Sequence, residues 1–258
     1  MSDAGHQDRI LDQFTRQATP FSTASTITDA NALRMIVTAG APKPSDTVLD
    51  VACGGGIIVC AYAPEVKHAT GIDMTPAMLD RARQLAAEKG IGNVSWDQGD
   101  VGALPYADGT FDIVVTRFSM HHFLDPLAVL REMKRVCAPG GRVVTVDMYA
   151  SDDRAKALEW NRLEKLRDPS HVRCLTLPEL KGLYDQAGLA APETTHYELR
   201  DEVQNLLRRS FPNPGDDAKI TAMFAASAED DRLGIPVRRE GDKINYAYLV
   251  AILSARKG

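Results

Sequence analysis

The stretch that most clearly suggests chemistry is a run of three glycines, residues 54–56, that follows the apolar segment Thr47–Val51. An acid, Asp50, stands near the end of that segment, just before the glycines. A strand that ends in glycines and leads into a helix brings backbone N–H groups close to a bound ligand. A second acid, Asp73, ends the next apolar run. The pattern predicts a site for a nucleotide-like ligand, and several ligand classes fit it.

Short apolar segments alternate with helix-like segments in the first half of the chain, and these elements must position the candidate residues. Strands are predicted over residues 47–51, 69–73, 94–98, 111–117 and 142–147, with helices over residues 57–63, 76–89 and 127–136. The alternation predicts an α/β fold with a parallel sheet covered on both faces. Ligands bind such sheets beyond the carboxyl ends of the strands. The polar residues expected there are Asp50, Asp73, Asp100, Arg117 and Asp147.

The two ends of the chain are less regular. Helices are predicted over residues 155–166, 178–187 and within 201–234, and strands over residues 194–199 and 244–255. The first 30 residues are polar, with a helix over residues 8–16 that is broken in the segment 19–23, which contains Pro20. This N-terminal arm either packs against the domain or forms a lid over the ligand.

Composition limits the functions that the chain can have. The formal net charge of -5 argues against a broad nucleic-acid-binding surface, although a local basic patch stays open. No apolar run is long enough to span a bilayer, and residues 1–10 are too polar for a signal peptide. The four cysteines lack CxxC spacing, so we expect reduced, mostly buried thiols, a cytoplasmic protein and no metal site. A reactive cysteine is the less favoured alternative.

Several motifs resemble those of class I S-adenosylmethionine-dependent methyltransferases. Residues 50–56, which read DVACGGG, resemble the D-x-G/A-x-G-x-G loop of that family, with Ala52 in place of the commoner glycine. Residues 71–74 (GIDM) and 99–101 (GDV) resemble the second and third motifs. Residues 130–141 resemble the helix and the Pro-Gly-Gly turn that precede the fifth strand in that family.

One further segment narrows the resemblance. Residues 121–126 (HHFLDP) are similar to a segment of the methyltransferase type 11 subgroup, which includes ubiquinone/menaquinone biosynthesis C-methyltransferases. The family implies a Rossmann-like seven-stranded, mostly parallel sheet with helices on both faces and an antiparallel last strand. It also implies one methyltransferase domain over residues 31–258, with a cofactor-binding core at 45–150 and acceptor-binding insertions within 151–240.

The resemblance gives the motifs roles toward S-adenosyl-L-methionine, which becomes S-adenosyl-L-homocysteine. Asp73 would accept hydrogen bonds from the ribose diol, Asp100 and Val101 would bind the adenine, and Asp50 with the glycine turn would hold the amino acid end. Each residue also has a simpler possible role: Asp73 as a helix-capping acid, Met74 as a core side chain, Asp100 as a solvated loop acid and Arg117 as part of a surface ion pair. The predicted cofactor-binding residues are Asp50, Ala52, Cys53, Gly54, Asp73, Met74, Met78, Asp100, Val101, Thr116 and Arg117.

Two other functions share some of these features. An NAD-dependent oxidoreductase also has a glycine turn and a distal acid, but its G-x-G-x-x-G spacing differs from the three adjacent glycines here. A non-catalytic cofactor-binding protein is the other alternative. Binding of NAD without binding of S-adenosylmethionine would exclude the methyltransferase interpretation.

The methyl acceptor leaves a weaker signal than the cofactor. The catalytic candidates are His171, His121 and Arg173: the imidazoles could take a proton, and Arg173 could hold an anionic group or simply pair with Asp168. We expect His122 to brace its loop instead. The Asn/Asp-Pro-Pro-Tyr/Phe tetrapeptide of DNA and RNA base methyltransferases is absent after the fourth strand, where residues 117–120 read RFSM, and this favours a small-molecule acceptor. We expect a monomer or homodimer. Side chains available for a lid and pocket are Phe14, Gln17, Phe21, Tyr149, Trp160, Phe211 and Phe224.

Overall fold

The computed structural model describes residues 3–258, apart from the side chains of Asp3 and Phe21, so the pocket prediction for Phe21 lies outside the described residues. The strands are β1 (Thr47–Val51), β2 (His68–Asp73), β3 (Val94–Gln98), β4 (Phe111–Arg117), β5 (Cys137–Met148), β6 (Glu193–Glu202), β7 (Val237–Glu240) and β8 (Lys243–Arg256). The helices are α1 (Asp3–Ser22), α2 (Ala30–Gly40), α3 (Ile57–Tyr62), α4 (Pro76–Glu88), α5 (Pro126–Val136), α6 (Arg154–Arg167), α7 (Leu177–Gln186), α8 (Val203–Ser210) and α9 (Asp216–Asp230).

Within residues 3–258, the strands form one sheet in the order β3-β2-β1-β4-β5-β8-β6, and β7 pairs with β8. Strands β1 to β5 run parallel to one another, while β8 runs antiparallel to β5, β6 and β7. The predicted α/β fold with a mostly parallel sheet and an antiparallel last strand is confirmed. The predicted seven strands form the main path. The eighth strand, β7, is not predicted from the sequence, because its four residues, VRRE, show no alternation of apolar and polar side chains.

The sheet separates two buried layers, as expected for helices on both faces. Val48 and Leu49 are adjacent in β1 but belong to different buried clusters, because successive side chains of a strand point to opposite faces. Helix α5 contributes to the Leu49 layer. Asp125 caps this helix by accepting a hydrogen bond from the Ala128 N–H at 2.9 Å, and the next residue is a proline, which suits the first helical position.

Helix α1 is longer than predicted. It passes through Pro20 and ends at Ser22, so the expected break in the segment 19–23 is wrong. Pro20 has no N–H to donate to the Arg16 carbonyl, so the helix continues past it with one backbone hydrogen bond fewer. The Ser22 hydroxyl donates to the Ala18 carbonyl at 2.6 Å and thereby satisfies one acceptor of the last turn. The longer helix reaches from the loop after β4 to the glycine turn.

Candidate active site

A cavity of about 460 Å³ lies at the carboxyl ends of β1, β2 and β4. This volume falls within the usual range for small-molecule and cofactor sites. Helix α1 forms one wall. The lining includes His6, Gln7, Ile10, Phe14, Ile27, Asp50, Ala52, Cys53, Gly54, Gly55, Asp73, Met74, Met78, Asp100, Val101, Arg117, Phe118, Ser119, His122, Phe123, Leu124 and Asp125.

The glycine turn after β1 forms the floor of this cavity. Gly54 has a φ of 49° and Gly56 a φ of 75°, a left-handed conformation that glycine adopts without strain. Ala52 also has a positive φ, 57°, which is unfavourable for an alanine. The Cys53 N–H donates to the Ile72 carbonyl at 3.0 Å, so the turn is fastened to β2. Strain at a cavity wall is typical of positions whose conformation is fixed by binding.

Asp73 ends β2, and backbone groups hold its carboxylate. One oxygen accepts a hydrogen bond from the Gly54 N–H and the other from the Thr75 N–H, both at 2.8 Å. Burial raises the pKa of Asp73, and these two hydrogen bonds oppose the rise. Each carboxylate oxygen still has acceptor capacity directed at further donors. The side chain is therefore oriented for a ligand rather than used up as a helix cap.

Asp50 is almost fully buried on the same cavity and is bonded differently. In the part of the chain that the structure describes, neither carboxylate oxygen has a hydrogen-bond partner. Burial raises the pKa of Asp50 well above its ordinary value, the nearby Asp73 raises it further, and Arg117 lowers it. A buried carboxylate without donors is costly, so a ligand that brings donors or positive charge would relieve it. This is the feature of the site that best fits a bound ammonium group.

Arg117 lies at the end of β4 and is buried, not a surface ion pair. Its Nη2 donates to the Ile27 carbonyl at 2.8 Å, and its guanidinium lies 4.6 Å from the centre of the Phe118 ring. Burial lowers the pKa of Arg117. Phe118 has a φ of 54°, a strained conformation for a bulky side chain. The strand end thus places one cation and one aromatic ring on the cavity.

The adenine-binding candidates lie together along another wall. Met74, Met78, Asp100 and Val101 all line the cavity. The Asp100 carboxylate accepts a hydrogen bond from the Gln7 side chain of α1 at 3.0 Å and from the Gly102 N–H at 2.8 Å. Asp100 therefore connects the loop after β3 to the helix that covers the site.

Thr116 differs from the other predicted cofactor residues because it does not line the cavity. Its hydroxyl lies within hydrogen-bond distance of the Val51 carbonyl and of the Ser119 hydroxyl. The side chain joins the ends of β1 and β4. Any contact of Thr116 with a ligand would have to come from its backbone.

Among the histidines, His121 is held by the acid that ends β5. Its Nδ1–H donates to Asp147 Oδ1 at 2.7 Å, and its backbone N–H donates to Asp147 Oδ2 at 3.2 Å. His121 lines a second cavity of about 60 Å³, which lies beside the first. The pair has the arrangement by which a carboxylate orients an imidazole for proton transfer.

His122 lies between its loop and α1. The ring Nδ1 lies 3.1 Å from the Ser170 hydroxyl, and the Phe14 ring of α1 packs edge-on at 5.0 Å. The His122 carbonyl lies 2.7 Å from His6 Nε2, within hydrogen-bond distance. Burial lowers the pKa of His122 to about 3, so the ring is neutral near pH 7. These contacts brace the loop, and the ring also lines both cavities.

The structure does not bring His171 and Arg173 to either cavity. His171 is buried, its Nε2 donates to Asn161 at 2.9 Å, and burial lowers its pKa. Arg173 is exposed and pairs with Glu179, rather than with Asp168, the partner considered from the sequence. Their positions give a catalytic role no geometric support.

Sequence reasoning missed most of the α1 side of the site. His6, Ile10 and Phe14 recur every four residues and face the cavity, a spacing that indicates one face of a helix. Phe14 and Gln17, proposed from the sequence as lid or pocket residues, line the described cavities. Tyr149, Trp160, Phe211 and Phe224 line neither.

Cysteines and surfaces add little to the chemistry. All four cysteines are free and buried, and burial raises the pKa of the cavity residue Cys53 well above its ordinary value. Residues 3–258 contain no group of His, Cys, Asp and Glu side chains arranged to hold a metal ion. Over the same residues, no helix has the length and apolar character needed to cross a membrane.

Comparison with known proteins identifies the family. Residues 42–208, more than half of the chain, match the family model of a methyltransferase domain. The uncharacterized methyltransferase YcgJ of Bacillus subtilis is 32% identical over 243 residues, which are 93% of this chain and 95% of that protein. The UbiE ubiquinone/menaquinone biosynthesis C-methyltransferase of a Ruegeria species is 36% identical over 110 residues, 42% of this chain and 44% of that protein.

Solved structures agree with the sequence matches. The crystal structure of YcgJ has a TM-score of 0.80 at 29% identity and covers 88% of this chain and 98% of that one. A Bacillus halodurans protein described as a methyltransferase has a TM-score of 0.82 at 27% identity, with 88% and 99% covered. These matches do not support the oxidoreductase or non-catalytic alternatives. The chain therefore belongs to the methyltransferase-domain family and has the class I, S-adenosylmethionine-dependent architecture.

Proposed function

We propose that this protein transfers a methyl group from S-adenosyl-L-methionine to a small-molecule acceptor. The observation that carries the proposal is the buried Asp50 carboxylate, which faces the cavity beside the glycine turn without a donor in the described residues. The cofactor's α-ammonium group would supply that donor and its positive charge. When bound, S-adenosyl-L-methionine supplies an electrophilic methyl group on a sulfonium, and S-adenosyl-L-homocysteine is the product.

The residues around Asp50 suit the rest of the cofactor. Asp73, with each oxygen held by one backbone N–H, would accept hydrogen bonds from the ribose hydroxyls. Met74, Met78, Asp100 and Val101 would enclose the adenine, and the backbone of the turn at Ala52, Cys53 and Gly54 would approach the amino acid end closely. Arg117 would face the carboxylate of that same end. Thr116 would contribute through its carbonyl at the end of β4, while its side chain joins the ends of β1 and β4.

The domain divides into parts with different tasks in this proposal. Residues 45–150 bind the cofactor, residues 151–240 help to bind the acceptor, and the arm at residues 1–30 acts as a lid. The support for a lid is that α1 lines the cavity with four side chains and contacts Asp100 and His122. The acidic net charge of -5 supports a small acceptor over a polynucleotide. The free, buried cysteines support a reducing, cytoplasmic location. We propose a monomer or homodimer.

Calorimetry tests the cofactor assignment directly. The wild-type protein should bind S-adenosyl-L-methionine and S-adenosyl-L-homocysteine but not NAD, and Asp73→Asn should weaken binding at least about tenfold, because an amide accepts diol hydrogen bonds less well. Asp80→Asn, an exposed change on α4, is the matched control and should leave affinity unchanged. Binding of NAD alone would overturn the proposal.

Product analysis tests the transfer. Protein incubated with an isotopically labelled methyl donor and a cell-extract metabolite pool should yield a labelled small molecule that mass spectrometry can identify. Binding of the cofactor without any labelled product, across a panel of nucleophiles, would favour a non-catalytic protein.

A further inference from the structure

The smaller cavity, which we call the inner chamber, adjoins the main cavity. Both are lined by Phe14, Ile27, Phe118 and His122, so these side chains form the boundary between them. The volume of about 60 Å³ has room for a few heavy atoms, roughly the space of several waters. The chamber therefore suits the reacting end of a molecule whose larger part lies elsewhere.

Apolar atoms make up most of the wall of the inner chamber, although Gln17, Arg167, Asp168, Arg209 and Ser210 also line it. Besides the shared aromatic side chains, Met148, Leu199 and Leu206 line it, from β5, β6 and α8. Tyr248 of β8 also lines it, but its hydroxyl already donates to Glu164 at 3.0 Å. A polar atom that enters the chamber finds few unused partners there.

His121 is the exception. Its Nδ1–H is bound to Asp147, so the neutral ring carries its lone pair on Nε2. In the described part of the chain, Nε2 has no hydrogen-bond partner, and it is not among the polar atoms sealed from solvent. Asp147 is itself fixed, because it also accepts the backbone N–H groups of His121 and Met148. An oriented imidazole with a free acceptor thus lines the chamber, beside charged side chains that already have partners.

The charged side chains at the chamber argue against an anionic guest. Arg167 pairs with Glu164 at 2.7 Å and lies 3.9 Å from Asp168. Arg209 pairs with Asp201 at 2.5 Å. Each guanidinium therefore already has a carboxylate, and an entering anion would meet Asp168 and Asp147 nearby. A neutral group fits these surroundings better.

We propose that the inner chamber receives the reacting end of an apolar acceptor bearing a neutral hydroxyl, whose proton passes to His121 Nε2. This inference rests on the proposed function and adds the acceptor class. The acceptor O–H bond breaks and the proton moves to Nε2. The oxygen lone pair forms the bond to the methyl carbon, while the carbon–sulfur bond breaks and leaves its electron pair on sulfur. Asp147 is a positioning residue that also stabilises the charged imidazolium until the proton leaves to water.

A binding experiment with two matched probes tests the chamber without turnover. 4-Propylphenol and 4-propyltoluene have nearly the same shape and differ by a hydroxyl in place of a methyl group. With protein saturated with S-adenosyl-L-homocysteine, calorimetry should give about tenfold tighter binding of the phenol, the value of one hydrogen bond. Equal affinities, or tighter binding of 4-propylbenzoate or 4-propylbenzylamine, would overturn the proposal. This wild-type comparison needs no variant to fold.

The residue assignment has its own test. His121→Asn keeps an amide N–H near Asp147 but is too short to present a base to the chamber, so the preference for the phenol should disappear. Turnover of a hydroxyl acceptor should fall about 10² to 10⁴-fold, with cofactor affinity unchanged. His196→Asn, an exposed histidine on β6, is the matched control and should keep both properties. A His121→Asn protein that keeps the phenol preference would remove His121 from the mechanism.

Asp147→Asn separates positioning from direct contact. It should lower kcat and shift the pH profile of kcat, while KM for the acceptor changes little, because the amide can no longer fix the tautomer of His121. An unchanged pH profile would contradict the positioning role. If the wild-type protein does not bind S-adenosyl-L-methionine, the proposed function itself is refuted. Failure of the proposed function can therefore be distinguished from failure of the chamber proposal.

Discussion

Asp50, next to last in β1, and Asp73, the last residue of the neighbouring parallel strand β2, face one cavity, yet only Asp73 is held by backbone N–H groups. The two carboxylates are close enough that the charge of Asp73 raises the pKa of Asp50. The chain therefore holds the Asp73 carboxylate in place, whereas the Asp50 carboxylate would obtain its hydrogen bonds from a ligand. This difference predicts opposite effects of substitution on stability and on binding.

Asp50→Asn should stabilise the protein without ligand and weaken cofactor binding. Removing a buried carboxyl group whose pKa is raised on folding should raise the free energy of unfolding by about 1–3 kcal/mol at pH 7. The cofactor affinity should fall at least about tenfold, because the amide carries no charge for the ammonium group. Urea denaturation and calorimetry measure the two effects, with Asp80→Asn as control. Destabilisation by Asp50→Asn would contradict this account.

The same substitution has a pH signature. The pKa of Asp50 in the folded state lies above its ordinary value of 3.8, so the folded protein holds a proton that the unfolded chain has released. The stability penalty from Asp50 is absent below pH 3.8 and grows as the pH rises toward the folded-state pKa. The stability gain of Asp50→Asn should therefore shrink when unfolding is measured near pH 4. A gain that does not depend on pH would point to packing instead.

Acid should destabilise the protein through His122. Its pKa is lowered from 6.5 to about 3, so the unfolded chain takes up a proton in that window and the folded protein does not. Stability is fully present above pH 6.5 and falls as the pH drops toward 3, by up to about 1.4 kcal/mol per pH unit. His122→Gln should show a shallower fall in urea denaturation curves from pH 7 to pH 4. Parallel curves for the two proteins would exclude this cause.

Gly55→Ala should loosen the end of α1. A Cβ at this position would overlap the Ser22 hydroxyl oxygen and lie 3.0 Å from the Ser22 Cβ. We expect a loss of about 1–3 kcal/mol of stability and weaker cofactor binding, since the turn or the helix must shift. In a Ser22→Gly background, which removes the overlapping side chain, Gly55→Ala should cost much less stability than it does in the wild type. Additive effects in the cycle would show that the two residues do not interact.

Arg173→Ala should leave methyl transfer within about twofold of wild type. The exposed side chain pairs with Glu179 and lines neither cavity, and an exposed ion pair contributes less than about 1 kcal/mol. Steady-state kinetics and thermal unfolding check both points. A large rise in KM for the acceptor would restore the anion-binding role considered from the sequence.

Most of the sheet and of the cofactor side of the site could be predicted because the signals are local. A strand, its terminal acid and the following glycines are adjacent in sequence, as in residues 47–56, and parallel strands must bring such ends to one edge. Asp50, Asp73, Met74 and Asp100 accordingly meet at one cavity. Thr116 is expected at this edge through its carbonyl, and that expectation stays a prediction, because the observed contacts of its hydroxyl do not test it.

The acceptor side depended on contacts that the sequence does not encode locally. His121 and His171 look alike as polar-loop histidines, and only packing turns one toward a cavity and buries the other against Asn161. The pairing of His121 with Asp147 follows from β4 lying beside β5, where Arg117 is in register with Val146. Strand order could have suggested that pair. The path of α1 past Pro20 had no comparable signal.

Several hydrogen bonds that hold helix α1 to the rest of the molecule end on backbone carbonyls. His6 contacts the carbonyl of His122, and Gln13 and Gln17 both donate to the carbonyl of Ser210. Every residue type offers the same carbonyl, so the side chains at these two positions can change in evolution without releasing the helix. His122 lines both cavities. A change of the His122 side chain should therefore alter the walls of both cavities while the contact of His6 with its carbonyl stays in place.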